Sequence, residues 1–160
     1  MVYGAHGVCI VREEEERIVD RKKRIFLALE PLGQPGARYL VPTHSPAAMA
    51  KLQPMLSAGE LEALLRSREA RAGIWIREDN QRKAVCRELI SCGDRVKLMQ
   101  MMHCLYRHRE AQTAIGKRLH ISDSNFLRDA EKLLAGELAI VMGMQTGEAI
   151  DYIRANLREE

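Results

Sequence analysis

The sequence predicts an α+β protein, in which a small N-terminal β module is followed by an all-α helical region. Three short β-type runs within residues 2–42 are separated by turn-forming residues. After Pro42 the apolar residues recur at helical spacing instead. The chain has 160 residues, of which 46% are hydrophobic and 29% are charged. This length and balance suit one medium domain or two small ones, and they exclude disorder, a collagen-like fibre and a disulfide-stapled miniprotein.

The β module is expected to occupy residues 1–45. Its first run is short and contains Val2, Val8 and Ile10, and the other two runs cover residues 24–29 and 38–41. A polar turn at residues 20–23 and a turn region rich in Pro and Gly at residues 31–36 separate the runs. Several short strands joined by tight turns indicate a small curled sheet or barrel. At this size the module is expected to depend on the rest of the chain for stability.

The helical region is expected to occupy residues 46–160, and capping signals mark its helices. The predicted helices are 61–70 after a capping box of Ser57 and Glu60, 76–91 before Gly93, one capped by Asp94, one from Ser122 to about Met142, and one from Thr146. Two of these helices carry apolar stripes. The stripes are Leu98, Met101, Met102 and Leu105 in one helix, and Leu127, Ala130, Leu134, Leu138 and Val141 in the other.

Charge is distributed unevenly along the chain. The net charge of +3 is too small to indicate nucleic-acid binding by itself. Residues 75–118, however, contain ten Lys or Arg against five Asp or Glu, a local excess of +5. Residues 119–160 contain four against eight, which gives −4. The positive charge is thus concentrated in a stretch that begins at Trp75, the one tryptophan of the chain.

Sequence motifs give little support to an enzyme, a cofactor protein or a metalloprotein. No nucleophile elbow, phosphate loop or dinucleotide fingerprint is present, so no catalytic residue and no cofactor is expected. Cys104 and His108 share a helix face, but two ligands do not make a structural zinc site, so no metal is expected. The four cysteines contain no C-x-x-C pair and are expected to be reduced. No apolar stretch approaches membrane-spanning length and no secretion signal is seen, so a cytoplasmic location is expected.

A basic helix face is the sharpest local signal. Asn80, Lys83 and Arg87 are spaced to share one side of their predicted helix. Trp75 and Arg77 come just before it, and Arg82 lies within it. Further cations follow, among them Lys117 and Arg118. Such a face can neutralise phosphates without sequence preference, and an aromatic ring beside it can press against or between bases. The alternative is a solvated basic face with Trp75 packed in the core.

Four segments together resemble the CarD/CdnL family of transcription regulators. These segments are V-Y-G-A-H-G-V at residues 2–8, Y-L-V-P at 39–42, W-I-R at 75–77 and L-L-A-G-E-L-A at 133–139. The resemblance extends over nearly the whole chain. The family usually has several residues before the first of these segments, so a shortened first strand is expected here.

The resemblance implies two functional parts. The N-terminal part would be a Tudor-like β module, similar to the polymerase-interacting domain of the transcription-repair coupling factor, that docks on the β subunit of bacterial RNA polymerase. Docking would extend an exposed sheet edge by a strand of the partner. Arg17 falls where the family has a basic polymerase contact. Leu40 occupies a second such position, so that Arg38 is the nearest substitute.

The resemblance also implies a DNA contact for the helical part. In the family a tryptophan wedges into the minor groove at the upstream edge of the transcription bubble. Trp75 matches that residue and Arg77 its basic neighbour, whereas the assignment of Lys83 and Arg87 rests on helix geometry alone. Such a wedge would stabilise the open promoter complex, because a ligand that binds one state better shifts the population toward it. Weak DNA affinity with little sequence preference is expected.

Two other functions remain open at this stage. The chain is either an adaptor that binds a β-edge partner without touching DNA, or a small hydrolase with an unrecognised site. A deep pocket lined by acids or histidines would favour the hydrolase.

Overall fold

The computed structural model describes residues 1–158 and confirms the α+β architecture, with an antiparallel β module preceding the helices. The strands are β1 (Val2–Tyr3), β2 (Cys9–Val19), β3 (Lys22–Pro31), β4 (Tyr39–Pro42) and β5 (Leu52–Gln53). The helices are α1 (Pro46–Ala50), α2 (Ala58–Arg66), α3 (Asp79–Cys92), α4 (Arg95–Ala114), α5 (Ile121–Met142) and α6 (Thr146–Arg158).

A long hairpin dominates the β module. Strands β2, β3 and β4 form an antiparallel sheet in that order, with Leu29 paired to Val11 on one side and to Tyr39 on the other. Asp20 and Arg21 connect β2 to β3, and both have positive φ, at 50° and 62°. Positive φ at both central residues is the mark of the two-residue turn that matches strand twist. The polar turn predicted near residue 20 is therefore confirmed.

A second, smaller pairing ties the start of the chain to the end of the β module. Strand β1 pairs antiparallel with β5, so Val2 lies opposite Gln53. Strand β1 has two residues. Sheet contacts thus run on to Gln53, while the division of the chain after residue 45 stays a prediction.

The main hydrophobic core lies among the helices. Leu98, Met102 and Leu105 of α4 and Leu134 and Leu138 of α5 are buried in it, which confirms the two predicted stripes apart from Val141, only half-buried. The β module has a much smaller buried cluster, made of Cys9, Leu29 and Val41. The module therefore depends on neighbouring segments for its stability, as its size predicts.

Most helix boundaries agree with the capping signals. The capping box is confirmed: the Ser57 hydroxyl accepts a bond from the Glu60 N–H at 3.2 Å, and the Glu60 carboxylate accepts one from the Ser57 N–H at 2.8 Å. Asp94 caps α4 by accepting a bond from the Lys97 N–H at 3.0 Å. The last helix begins at Thr146, as predicted.

Three boundary predictions were wrong. Ser122 is not a cap, because α5 already begins at Ile121 and Ser122 lies in its first turn. Helix α3 begins at Asp79 rather than near residue 76, since the Glu78 carboxylate caps its first amides. Helix α2 ends at Arg66, where the Ser67 hydroxyl donates to the Leu64 carbonyl at 2.7 Å.

The two parts of the chain meet where backbones approach closely. A Cβ on Gly4 would lie 2.6 Å from the Ser91 carbonyl oxygen, and a Cβ on Gly93 would lie 3.0 Å from the Gly4 Cα. Nearby, Arg95 donates to the Gln53 side chain at 2.8 Å and to both carboxylate oxygens of the buried Glu137. This junction fixes the β module against the C-terminal end of α3.

Candidate nucleic-acid interface

A groove beside Trp75 gathers most of the predicted DNA-contacting residues. We call it the indole groove; its volume is about 420 Å³. The segment before α3, the helices α3 and α4, and the connection from α4 to α5 all contribute to it. Its lining residues are Trp75, Arg77, Asp79, Arg82, His108, Gln112, Lys117, Arg118 and His120.

The indole ring of Trp75 is half-buried and held by two contacts. The His108 ring stacks on it with a centroid distance of 4.0 Å and an interplanar angle of 18°. The Arg82 guanidinium carbon lies 4.6 Å from the ring centroid, a cation–π contact. The ring also packs against the helical core. Trp75 is therefore neither sealed in the core nor presented freely to solvent.

Arg82 is a structural residue rather than part of an exposed basic face, which corrects its place in the predicted patch. Only 4% exposed, it forms two hydrogen bonds of 2.9 Å to the carboxylate of the fully buried Asp123 on α5. It also donates to Asp79 at 2.8 Å and to the Ile76 carbonyl at 3.0 Å. The bond to Asp123 raises the pKa of Arg82, and the bond from Arg82 lowers the pKa of Asp79. Arg82 thus anchors the segment that carries Trp75.

Three cations of the indole groove are exposed and available to a ligand. Arg77, Lys117 and Arg118 form no ion pair with any other residue between 1 and 158. The single carboxylate that lines the groove, Asp79, is already bound to Arg82. Unpaired cations beside a partly exposed ring are what a nucleic-acid backbone and its bases require.

Histidine 108 is kept neutral in this setting. Burial lowers its pKa, the nearby Arg82 and His120 lower it further, and Asp123 opposes them. A neutral imidazole stacked on the indole adds no charge to the groove at pH 7. Sequence reasoning missed this role, because it weighed His108 only as a metal ligand. His108 lies nine residues before Lys117, which follows the end of α4, and that spacing gave no distinguishing signal.

The structure does not bring the whole predicted face together. Lys83 is half-buried and Arg87 is exposed on α3, and neither lines the indole groove. Lys83 does lie close enough to Asp79 to help lower the pKa of that carboxyl. Of the six predicted DNA contacts, Trp75, Arg77, Lys117 and Arg118 therefore share one groove.

A second groove of about 380 Å³ lies on another side of Trp75, between α3 and α4. We call it the apolar groove, because Ile74, Val85, Leu89 and Met101 contribute to its walls. Cys86 and Cys104 also line it, and burial raises the pKa of both thiols, that of Cys86 to about 11. These thiols are protonated and unreactive at neutral pH.

The predicted polymerase contacts lie on the β module. Arg17 is exposed on β2 and pairs with Glu15 at 3.2 Å. Arg38 is exposed before β4 and pairs with Glu13 at 2.6 Å and also with Glu15. Both arginines are thus already engaged by acids of their own sheet. Beside them the outer edge of β2, from Ile10 to Val19, has no neighbouring strand in the described part of the chain.

Two histidines, His108 and His120, and one acid, Asp79, line the indole groove, and Asp79 is bound to Arg82. Among residues 1–158 there is no group of three or more His, Cys, Asp or Glu side chains placed to hold a metal ion. No helix in that range is long and apolar enough to cross a membrane.

Comparison with known protein families identifies the first part of the chain. Residues 1–53 match the family model of the CarD-like/TRCF RID domain. The match therefore covers the β module through β5. No curated protein matches the chain significantly. Domains of the matched family are RNA polymerase-interacting and bind the polymerase β subunit, a regulatory and non-catalytic role. Residues 1–53 are thus identified as a CarD-like/TRCF RID domain, which is about a third of the chain.

Proposed function

We propose that this protein stabilises the open promoter complex by holding DNA at the upstream fork of the transcription bubble. In this proposal residues 1–45 dock on the RNA polymerase β subunit and residues 46–160 contact promoter DNA. The family match supports the polymerase partner. The DNA contact rests on the indole groove.

The observation that carries the proposal is the set of three unpaired cations around one partly exposed indole. Arg77, Lys117 and Arg118 converge on the groove of Trp75, although Lys117 and Arg118 follow Trp75 by more than forty residues in the chain. Cations that contact phosphates release counterions and give affinity without sequence choice. The indole edge then meets bases or sugars where the duplex is already parted.

The contacts of Trp75 define how it acts at the fork. Since His108 stacks on the ring, Trp75 presents its exposed edge rather than intercalating by both faces. The exposed edge of the Trp75 ring gains DNA contacts only where duplex and melted DNA meet, so it binds open promoter DNA better than closed duplex. That difference shifts the equilibrium toward the open complex.

Lys83 and Arg87 have a separate role in this proposal. They lie outside the indole groove, so we assign them to phosphates further along the upstream duplex. Their contribution is electrostatic, and it depends on salt rather than on the fork.

The polymerase side uses the edge of the β module. The free edge of β2 provides backbone groups for an added strand, which is a common mode of peptide recognition. Arg17 and Arg38 lie beside this edge. On docking, they break their ion pairs with Glu13 and Glu15 and form new ones with acids of the partner. Docking raises the local concentration of the helical region at DNA, so each DNA contact can be weak.

The test compares fork-junction DNA with closed duplex, and follows the lifetime of the open complex formed by RNA polymerase. We expect Lys117→Ala with Arg118→Ala to reduce the salt slope of DNA binding by about two units. The matched control, Arg128→Ala with Lys132→Ala, removes two exposed cations of α5 and is expected to leave the slope unchanged.

Trp75→Ala is expected to shorten the open-complex lifetime roughly tenfold, because base–aromatic contacts are of that strength. Polymerase binding should survive the substitution. If the lifetime is unchanged in both the Trp75→Ala and the Lys117/Arg118 variants, the DNA role fails.

The adaptor without DNA contact remains the second candidate. The stacking of His108 and the buried contact of Arg82 favour it, because they give Trp75 a purely structural task. Under this function the Lys117/Arg118 variant binds polymerase normally and leaves open-complex lifetime unaffected.

A further inference from the structure

The interior of the apolar groove has no part in the proposed polymerase or DNA contact. Its volume of about 380 Å³ lies within the range of about 300–1,000 Å³ that is typical of small-molecule sites. Val85 and Leu89 of α3 line one wall, and Met101 and Leu105 of α4 line the other. Apolar walls between two helices, with a few polar groups, are a common setting for ligand binding. The groove therefore suits a ligand with an apolar body.

Two charged side chains line the groove near the connection between its two helices. Helix α3 ends before Gly93, and α4 begins after its cap Asp94. Glu88 lies five residues before Gly93, and Lys97 lies three residues after Asp94. Both are thus within about one and a half helical turns of the connection, one on each wall. Both side chains are exposed.

Glu88 and Lys97 are not neutralised within the protein. Neither forms an ion pair with the other or with any further residue between 1 and 158. Arg82, the third charged residue that lines the groove, is already bound to Asp123 and Asp79. One unpaired charge of each sign on facing walls complements a ligand that carries both charges. Such groups fix the orientation of a ligand in an otherwise apolar site.

Trp75 lies at the other end of the apolar groove. Its ring contacts Arg82, eleven residues before Gly93, and stacks on His108, fourteen residues after Asp94. The segment at this end is fixed, because a Cβ on Gly73 would lie 2.6 Å from the Gln100 carbonyl oxygen. The groove is thus charged at one end and closed by an anchored aromatic residue at the other.

We propose that the apolar groove binds a small zwitterion with an apolar body, the chemistry of a free apolar α-amino acid. Its carboxylate pairs with Lys97, its ammonium group pairs with Glu88, and its side chain points along the groove toward Trp75. This site goes beyond the proposed DNA function and does not require it. Because Trp75 is the one tryptophan and lines the groove, its fluorescence reports on the bound ligand.

The experiment titrates the full chain with L-phenylalanine in the absence of DNA, and follows Trp75 fluorescence and the heat of binding. Phenylpropionate, which lacks the amine, and phenethylamine, which lacks the carboxylate, are titrated in parallel. We expect L-phenylalanine to bind about threefold to fivefold more tightly than either, because each analogue loses one exposed ion pair. Glu88→Gln should abolish the preference over phenylpropionate, and Lys97→Gln the preference over phenethylamine.

Two further variants test where the ligand lies. The matched control, Asp129→Asn with Lys132→Gln, removes an exposed acid and an exposed cation of α5 that line neither groove, and it should bind L-phenylalanine like the unaltered protein. Val85→Phe extends a half-buried wall residue into the groove and should abolish binding of all three compounds. Circular dichroism checks that this variant keeps its helices.

The outcomes separate the ligand site from the proposed function. If L-phenylalanine gives no saturable signal, or binds no more tightly than its two analogues, the assignment is overturned. Binding that survives in folded Val85→Phe would place the ligand elsewhere, which equally overturns it. None of these results affects the DNA function, because the titration contains no DNA. Conversely, failure of the DNA role in the Lys117/Arg118 variant leaves the ligand site standing.

Discussion

The arginines at the two predicted contact sites are in opposite states. At the predicted polymerase contact on the β module, Arg17 and Arg38 are exposed, yet both are paired with acids of the same sheet. At the indole groove, Arg82 is ion-paired and buried, while Arg77 and Arg118 are exposed and form no ion pair with any residue between 1 and 158. The exposed arginines are thus ion-paired at the first site and unpaired at the second.

This difference indicates where each part would gain from a partner. A free exposed cation attracts an anion without giving up an existing contact. A paired one must exchange partners, so its net gain is small unless the new partner fits better. We therefore expect the indole groove to be the stronger anion site, and the β module to depend more on its strand edge.

The largest expected effect tests the buried ion pair between Arg82 and Asp123. Asp123→Ala leaves the Arg82 guanidinium buried without its carboxylate, which costs about 3–5 kcal/mol of unfolding free energy. Urea denaturation measures this cost. Asp129→Ala, at an exposed acid on the same helix, is the control and should change stability by less than about 0.5 kcal/mol. Equal effects of the two variants would mean that the Arg82 pair is not structural.

The next effect tests the junction between the two parts. Gly4→Ala places a Cβ 2.6 Å from the Ser91 carbonyl, in addition to the strain of a φ of 43°. Gly36→Ala has similar strain, with a φ of 83°, but open space around the new methyl group. We expect Gly4→Ala to destabilise the protein by about 1–3 kcal/mol more than Gly36→Ala in thermal or urea unfolding. Similar losses would show that the close approach does not hold the parts together.

A smaller effect tests the paired arginines of the β module. Glu15→Gln removes the acid that both Arg17 and Arg38 contact. If these arginines contact acids of the polymerase β subunit, the affinity of the protein for that subunit should rise about twofold to fivefold, which corresponds to the free energy of one exposed ion pair. Glu14→Gln, on the opposite face of β2, serves as the control in the same binding assay. A loss of affinity with Glu15→Gln would place Glu15 itself in the interface.

The smallest effect concerns pH and the Trp75–His108 stack. The folded state lowers the pKa of His108 below 6.5 through burial, aided by Arg82 and His120 and opposed by Asp123. As the pH falls, the unfolded chain therefore takes up a proton on His108 before the folded protein does. The contribution of His108 to the free energy of unfolding is thus complete above pH 6.5 and is lost as the pH falls below that value. Because Trp75 is the one tryptophan, its fluorescence reports on the stack directly. A fluorescence transition below pH 6.5 that His108→Ala removes is the expected result; a transition that persists in this variant arises elsewhere.

Much of the fold and part of the candidate site followed from local sequence signals. The capping box at Ser57, the Asp94 cap and the stripe through Leu98 depend on residues a few positions apart, so they could be predicted. Ser122 failed as a cap because α5 already begins at Ile121, and its neighbour Asp123 is buried against Arg82, forty-one residues away. Lys83 and Arg87 were predicted to share a helix face with the groove residues, but neither lines the indole groove, and the spacing along one helix could not show this.

The sequence by itself determined that a β module precedes the helices, which apolar stripes form the core, and that positive charge is concentrated after residue 75. Only the tertiary structure decided which of those charges stay free, which one becomes buried, and how the indole is held. The physical reason is that periodicity and capping act over a few residues, whereas solvation and pairing of a charge depend on segments that fold together from distant parts of the chain.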